Sequence, residues 1–278
     1  MTDAGDLQDR VAFVTGAGRG QGRSHAVTLA RAGATVVMVD VCAPIDTVPY
    51  PLATEDDLAE TARLVEAEGA RCLARVADVR DRLALVAVVD EALEQFGRLD
   101  VVVANAGVAQ GFPEQEAAAV DRIWADYIAV NLTGAWNTVQ ATRAPLVDGG
   151  RGGSVIIVSS TSGLKGMSRG DPRSDAYTAA KHGLVGIMRA YANELGPSGV
   201  RVNSIHPTAV ATPMIENPAM KRWVAANVER VAGGFGDAMH RGRITVDEVS
   251  DTVLWLASDR SRAVTGVMVP VDAGFAVT

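Results

Sequence analysis

Four runs, Val11–Thr15, Ala34–Val39, Leu99–Ala104 and Val155–Ser159, are almost solidly apolar and rich in β-branched side chains. Polar and apolar positions do not alternate in them, so strands built from them have two buried faces. Such strands pair in parallel beneath helices on both sides of a sheet, and each parallel crossover needs a helix-sized connection. The intervening stretches supply it. Ser24–Arg31, Leu58–Glu68, Leu83–Phe96, Val120–Arg143, Tyr177 to about Leu195, and Val246–Ala257 carry helical patterns. Cys72–Val76, Val200–Ile205 and Gly266–Val271 bring the strands to about seven. The expectation is an α/β fold, one doubly wound domain over residues 1–278, with an about seven-stranded parallel sheet and helices on both faces. Two stretches break the rhythm: 41–54 carries three prolines, and 212–244 carries two more with the pair Gly233-Gly234. Loops leaving the carboxyl ends of parallel strands are where such folds bind ligands. Both stretches are therefore expected to be covers over a site rather than linkers.

Glycines 16, 18, 20 and 22 follow the first strand and open a helix. A turn without side chains lets backbone approach a pyrophosphate, whose charge meets the helix N-terminus. The strict G-x-G-x-x-G spacing fails, because Gln21 holds the third glycine position counted from Gly16. Asp40 strengthens the reading: it ends the next strand, 18 residues after Gly22, where a carboxylate can accept from both ribose hydroxyls of an adenosine. The same carboxylate repels a 2′-phosphate, which favours NAD over NADP. Arg19 pulls the other way, but no second basic residue stands beside Asp40.

Tyr177 and Lys181 lie one helical turn apart on the same face. An ammonium beside a phenol favours the phenolate, the form that accepts a proton in acid/base work. Other chemistries find less support. With 26 Lys and Arg against 33 Asp and Glu, the net charge is −7, and no basic cluster suits nucleic acid or an anionic membrane. Cys42 and Cys72 have neither metal-site nor redox spacing and read as free buried thiols, and no His, Cys or carboxylate spacing suggests a metal. The polar start MTDAGDLQDR and the lack of a long apolar run point to a cytoplasmic protein.

Taken together, Thr15-Gly16-Ala17-Gly18-Arg19-Gly20-Gln21-Gly22, Asn105-Ala106-Gly107, Asn131, Ser160 and Tyr177-x-x-x-Lys181 resemble the short-chain dehydrogenase/reductase family. The resemblance runs from Val11 to Val271-Asp272-Ala273-Gly274, with the motifs in the family's order. It implies a Rossmann domain with Tyr177 as acid/base, Lys181 as its electrostatic partner and a donor to the nicotinamide ribose, Ser160 as catalytic serine, and Asn131 holding a water on the proton path. Ser159 and Ser162 are the fallback serines. It also implies that Asp78 and Val79 hold the adenine, that Thr15 and Asn105-Ala106-Gly107 line the cleft, and that Pro207, Val210 and Thr212 belong to the segment binding the nicotinamide carboxamide. Thr208 stands where the family has glycine, which questions the local backbone conformation. Ser160 and Tyr177 are 17 residues apart, a few more than usual, and the extra length is expected to bulge from Lys165–Arg173 over the substrate side.

The insertion after Asp40, with Tyr50-Pro51-Leu52-Ala53-Thr54, and the contexts Ala180-Lys181-His182-Gly183 and His206-Pro207-Thr208 are similar to the carveol-dehydrogenase-like branch coupled to mycofactocin. That resemblance implies NAD held without free exchange and reoxidised by mycofactocin. Burial of Ile45, Val48, Tyr50 and Leu52 would slow cofactor escape. Met214, Met220, Trp223 and Phe235 read as lid packing that favours a hydrophobic secondary alcohol, terpene- or steroid-like, and its ketone. His182 and His206 read as structural. Family analogy implies a homotetramer packed through helices 120–143 and 177–195. The alternatives are an exchanging NAD(P)H-dependent carbonyl or 3-ketoacyl reductase, and a non-catalytic dinucleotide sensor.

Overall fold

The computed structural model describes residues 5–108, 119–167, 170–226, 228 and 236–278; the Trp223 side chain, Phe235 and Gly233-Gly234 lie outside the described residues. Seven strands form one sheet: β1 Val11–Thr15, β2 Thr35–Asp40, β3 Cys72–Val76, β4 Val101–Ala104, β5 Gly153–Val158, β6 Val200–Pro207 and β7 Met268–Val271. Their order is β3-β2-β1-β4-β5-β6-β7, and all six pairings are parallel. The doubly wound, seven-stranded α/β sheet expected from the apolar runs is therefore present.

The solid runs serve two cores at once. Phe13, Val102, Val155 and Ile157 enter one apolar layer, while Ala12, Val14, Val101, Val103 and Ile156 enter the other. Adjacent residues of a strand point to opposite faces, so every position of these strands is core. The first layer is covered by α3 (Arg82–Phe96), α4 (Val120–Ile128), α5 (Gly134–Asp148) and α6 (Pro172–Leu195). The second is covered by α1 (Gly20–Arg31), α2 (Glu55–Ala67) and α8 (Val246–Ala257). A further helix, α7 (Pro218–Ala226), lies in the 212–244 stretch.

Two helices depart from the sequence pattern in ways that matter to the site. The expected Val120–Arg143 helix is interrupted by a π-helical turn at Ala129–Thr133 and then continues to Asp148. Such turns concentrate at functional sites because one extra residue re-aims a side chain. Here the turn contains Asn131, which is buried. Just beyond it, a Cβ on Gly134 would come within 2.5 Å of Val79 Cγ2, so the close approach to the loop after β3 requires glycine. The helix bearing Tyr177 starts earlier than that residue, at Pro172, because Asp171 accepts from the N–H groups of Arg173 and Ser174.

Cys42 and Cys72 are free, but half-buried rather than buried. Burial and the neighbouring Asp40 carboxylate push the Cys42 thiol up to about 12, which keeps it protonated. In the 212–244 stretch, Met239 and Val228 are exposed, so its apolar residues do not all pack inward.

His25 is fully buried between α1 and α8, with Nδ1 2.8 Å from Ser250 Oγ. Burial lowers it from 6.5 to about 3. Below pH 6.5 the unfolded chain takes up a proton that the folded chain refuses, so this histidine makes stability fall as pH drops from 6.5 towards 3. The slope is at most about 1.4 kcal/mol per pH unit. Urea unfolding between pH 4.5 and 7.5 should show a shallower loss of stability in His25→Gln than in the parent chain; parallel curves would contradict the assignment.

Candidate active site

The chain winds outward from β1 to β3, then returns to β4 on the other side of β1. The cleft opens where the two directions part, at the carboxyl ends of β1 and β4. Beyond the last ladder pair, Val14↔Val103, side chains replace the sheet bonds. Thr15 Oγ1 accepts the N–H groups of Asn105 and Ala106, each at 3.1 Å, and Asn105 Nδ2 donates to Thr15 O at 2.9 Å.

The glycine turn forms the floor. Gly16 has φ 67°, and a Cβ there would lie 2.8 Å from Ala106 Cα. A Cβ on Gly22 would sit 2.0 Å from Gly16 O. The turn runs into the first turn of α1, which begins at Gly20 rather than Ser24. Gly16, Arg19, Gly20, Gln21 and Gly22 line the cleft. Gly18 stands behind them, its N–H donated to Asp40 Oδ2 at 2.9 Å. A cradle that leaves no room for a Cβ at Gly16 or Gly22, at a helix N-terminus, fits a pyrophosphate.

At the outer end, Asp40, Asp78 and Val79 line the cleft together. Asp40 is almost buried and also accepts the N–H of Cys42 at 3.3 Å. Asp78 is held by Arg80 at 2.6 Å. The Arg19 guanidinium donates to the carbonyl of Pro51, so the one cation of the turn is committed to the insertion.

The 41–54 insertion folds across this end. Ile45, Val48 and Tyr50 are buried, and Ile45, Tyr50, Leu52 and Ala53 line the cleft. Polar bonds tie it down on two sides. Thr47 Oγ1 donates to Asp126 Oδ2 on α4 at 2.8 Å, and Arg173 Nε on α6 donates to Thr47 O at 3.2 Å. Thr54 then caps α2 through a reciprocal pair with Asp57. Asp126 and Arg173 gave no sequence signal, being 79 and 126 residues from their partner.

Tyr177 lines the inner end of the cleft, with Lys181 Nζ 5.4 Å from its ring centroid. Lys181 is buried and donates to Val158 O, at the end of β5, at 2.9 Å. Burial takes its ammonium down to about 7. Asn131 Nδ2 donates to Tyr127 O at 3.0 Å, and its Oδ1 accepts the N–H of Val108 at 3.1 Å. A Cβ on Gly107 would come within 2.9 Å of Asn131 Oδ1 and 3.7 Å of Lys181 Nζ. The glycine thus keeps a gap between those two groups.

Of the three serines, Ser160 alone combines an uncommitted hydroxyl hydrogen with the neighbouring cavity. Ser159 Oγ donates to Lys181 O at 2.9 Å, and Ser162 Oγ is 3.6 Å from Met167 Sδ. Ser160 Oγ accepts the N–H of Ser162 at 3.1 Å, which leaves its own hydrogen to give. His206 fixes the backbone there: Nδ1 donates to Ser160 O and Nε2 accepts from Ser204 Oγ, both at 2.8 Å. Burial lowers His206 to about 4, so it is neutral and structural. His182 Nδ1 bonds to Thr178 O on its own helix.

A second cavity, of about 430 Å³, adjoins the cleft. Ser160 and Tyr177 face it, with Met167, Met214, Met220 and Phe275 among its apolar walls. Pro207 and Val210 line this cavity and not the cleft; Thr212 borders both. Thr208 keeps a negative φ, so its substitution for glycine introduces no strain. Residues 168 and 169 of the Lys165–Arg173 stretch lie outside the described residues, and Met167 reaches the cavity from it.

A family model described as enoyl-(acyl carrier protein) reductase matches residues 16–276. An uncharacterized NAD-dependent oxidoreductase of Mycobacterium tuberculosis (strain ATCC 25618 / H37Rv) is 50% identical over 272 residues, covering 97% of each chain. The (-)-trans-carveol dehydrogenase of Rhodococcus erythropolis is 43% identical over 275 residues, covering 96% of this chain and 98% of that one. The crystal structure of carveol dehydrogenase from Mycobacterium avium in complex with NAD superposes with a TM-score of 0.90 at 43% identity, covering 99% of this chain and 100% of that one. With the motifs, sheet order and full-length similarity in agreement, the chain belongs to the short-chain dehydrogenase/reductase family.

Proposed function

We propose that this chain is an NAD-dependent dehydrogenase that interconverts a hydrophobic secondary alcohol and its ketone. The observation that carries the reading is the position of Tyr177 on the boundary between a dinucleotide cleft and an apolar cavity, with a buried lysine beside its ring. Asp40, tied to Gly18 and aimed into the adenosine end, supports NAD over NADP, as does the engagement of Arg19 with Pro51. The NAD named for the M. tuberculosis relative and bound in the M. avium structure agrees with this.

In the oxidative direction Tyr177 takes the hydroxyl proton, and Ser160 donates a hydrogen bond to the same oxygen as charge develops on it. Bound NAD supplies the acceptor for the hydride that leaves the carbinol carbon. Lys181 acts on Tyr177 through its charge: an ammonium near the phenol stabilises the phenolate, and its bond to Val158 O fixes where that charge sits. Asn131, held in the π-turn, keeps a water at the Gly107 gap through which the proton leaves. Tyr177→Phe should lower turnover about 10²–10⁴-fold while the amount of NAD recovered from the denatured protein stays unchanged; substantial residual turnover would defeat the assignment.

The cavity lies in the lower part of the range usual for small-molecule sites, ~300–1,000 Å³. Its apolar walls support a terpene-sized alcohol, in keeping with the carveol dehydrogenases named above. The tied-down insertion supports NAD that does not exchange freely and is reoxidised in place by mycofactocin. Protein purified without added cofactor should then release near-stoichiometric NAD(H) on denaturation. Thr47→Val combined with Asp126→Asn should retain much less after dialysis; an empty parent protein would favour the freely exchanging reductase instead.

The same reading includes a homotetramer packed through α4, α5 and α6. Val120, Trp124 and Trp136 on the α4–α5 arm are exposed large apolar side chains of the kind that mark interaction surfaces. Light scattering should give about four times the 29.0 kDa chain mass, and a monomer would reject the assembly.

A further inference from the structure

Phe275 is a wall of the substrate cavity and is buried, yet it belongs to neither apolar layer of the sheet. Something besides the sheet core must hold its ring. It opens a single 3₁₀ turn, Phe275–Val277, that follows β7. The carbonyls of so short a turn need partners from outside it. Lys165 supplies them: Nζ donates to Phe275 O at 3.1 Å and to Thr278 O at 2.6 Å. The same ammonium lies 5.0 Å from the centroid of the Phe275 ring. A lysine 110 residues away in sequence thus grips both the turn and the ring. It is half-buried and stands outside the cavity it frames.

The grip is part of a longer frame. Two residues beyond Lys165, Met167 forms another wall of the cavity. Its carbonyl accepts from Thr178 Oγ1 at 2.6 Å, and Thr178 follows Tyr177 on α6. The turn after β7 is also pinned to the 212–244 stretch. The N–H of Met239 donates to Ala273 O at 3.1 Å, and Thr278 Oγ1 donates to Gly236 O at 2.8 Å. A Cβ on Gly274 would come within 2.6 Å of Ala238 Cβ. Lys165 joins the segment after β5 to this turn. An aromatic wall held at ring and backbone cannot yield to a bulkier substrate, whereas a released ring can swing aside.

We infer that Lys165 is a positioning residue for substrate size: by fixing Phe275 it sets one end of the cavity, and with it the preference for a one-ring over a fused-ring alcohol. The inference deepens the secondary-alcohol reading above and rests on it.

The test mixes the protein as purified, with NAD present throughout, against carveol or androsterone in a stopped-flow instrument. Carveol has one ring and androsterone four fused rings. The near-ultraviolet absorbance of the reduced nicotinamide reports a single turnover whether or not the cofactor exchanges. The parent should show a higher second-order rate constant with carveol than with androsterone. Lys165→Met should narrow that ratio about three- to tenfold by lowering the half-saturating concentration of androsterone, with the limiting rate for carveol held within about twofold. Lys165→Arg, which keeps a cation that can bond both carbonyls, should hold the parent ratio. Phe275→Ala should shift the ratio in the same direction, and adding Lys165→Met to it should move it no further, because both act through one ring. The limiting rate with carveol also reports that Lys165→Met is folded; if it is not, Lys165→Gln is expected to show the same pattern. A parent without preference for carveol, an unchanged ratio in Lys165→Met, or additive shifts in the double variant would overturn the inference. Reduction of the parent's cofactor by neither alcohol would refute the secondary-alcohol reading, and the inference with it.

Discussion

The clasp between Thr15 and Asn105 is the constraint on which the site depends. Parallel strands with two buried faces cannot simply stop, because each leaves backbone donors and acceptors at its carboxyl end in an apolar surround. At β1 and β4 the ladder ends at Val14 and Val103, and the winding reverses. Thr15 Oγ1 takes two backbone N–H groups and Asn105 returns a donor to Thr15 O, so the strands part without an orphaned group. The crevice that opens has a floor of glycine backbone and a wall at Ala106. Gly16 can lie against Ala106 only because it has no Cβ. Removing either half of the clasp would leave buried polar groups unpaired at about 1–3 kcal/mol each.

The charges around this crevice follow from what the sheet has already buried. Lys181 is buried at the end of β5, where it donates to Val158 O. Burial brings its ammonium down to about 7, far below the usual lysine range. Proton binding there costs the folded chain more than the unfolded one, so stability is lost as pH falls through the interval from 10.5 to about 7. Retaining such a lysine makes sense where the charge is used by a neighbour. His206 is the opposite case: equally buried, lowered to about 4, and satisfied at both nitrogens, it stays neutral and holds Ser160 in place. One buried base is kept ready to carry charge, while the other works as a fixed hydrogen-bonding link.

What the sequence made legible was whatever repeats or sits locally. Solid Val and Ile runs specify a two-faced sheet, and Gly16 to Gly22 with Asp40 specify the cofactor end. The i, i+4 spacing of Tyr177 and Lys181 put both on one helix face, and the structure sets both against the cleft, with Ser160 on the adjoining cavity. The π-turn at Ala129–Thr133 was not readable, since Val120–Arg143 has an unbroken helical pattern and no residue in it marks the interruption. The ties of Thr47 to Asp126 and Arg173 were hidden for another reason: residues so far apart in sequence meet only through the tertiary fold. Gly18 showed the limit of motif reading in a third way. It belongs to the fingerprint, yet its N–H serves Asp40 behind the floor of the cleft.

The two cavities also constrain how a retained cofactor could turn over. The outer end of the cleft is lined by the insertion, which shares apolar core with the sheet and polar bonds with two helices. The inner end communicates with the substrate cavity through the partition that carries Tyr177. If the dinucleotide stays between catalytic cycles, an oxidant reaching its ring directly must use the substrate side. It would then enter the same apolar walls of Met167, Met214, Met220 and Phe275 after the ketone has left. Alcohol and oxidant would compete for one cavity, which implies alternating occupancy rather than a ternary complex. A freely exchanging enzyme carries no such restriction, because its reduced cofactor is reoxidised elsewhere. In the proposed function, the packing of Ile45, Val48 and Tyr50 would bear on kinetic order as well as on cofactor affinity.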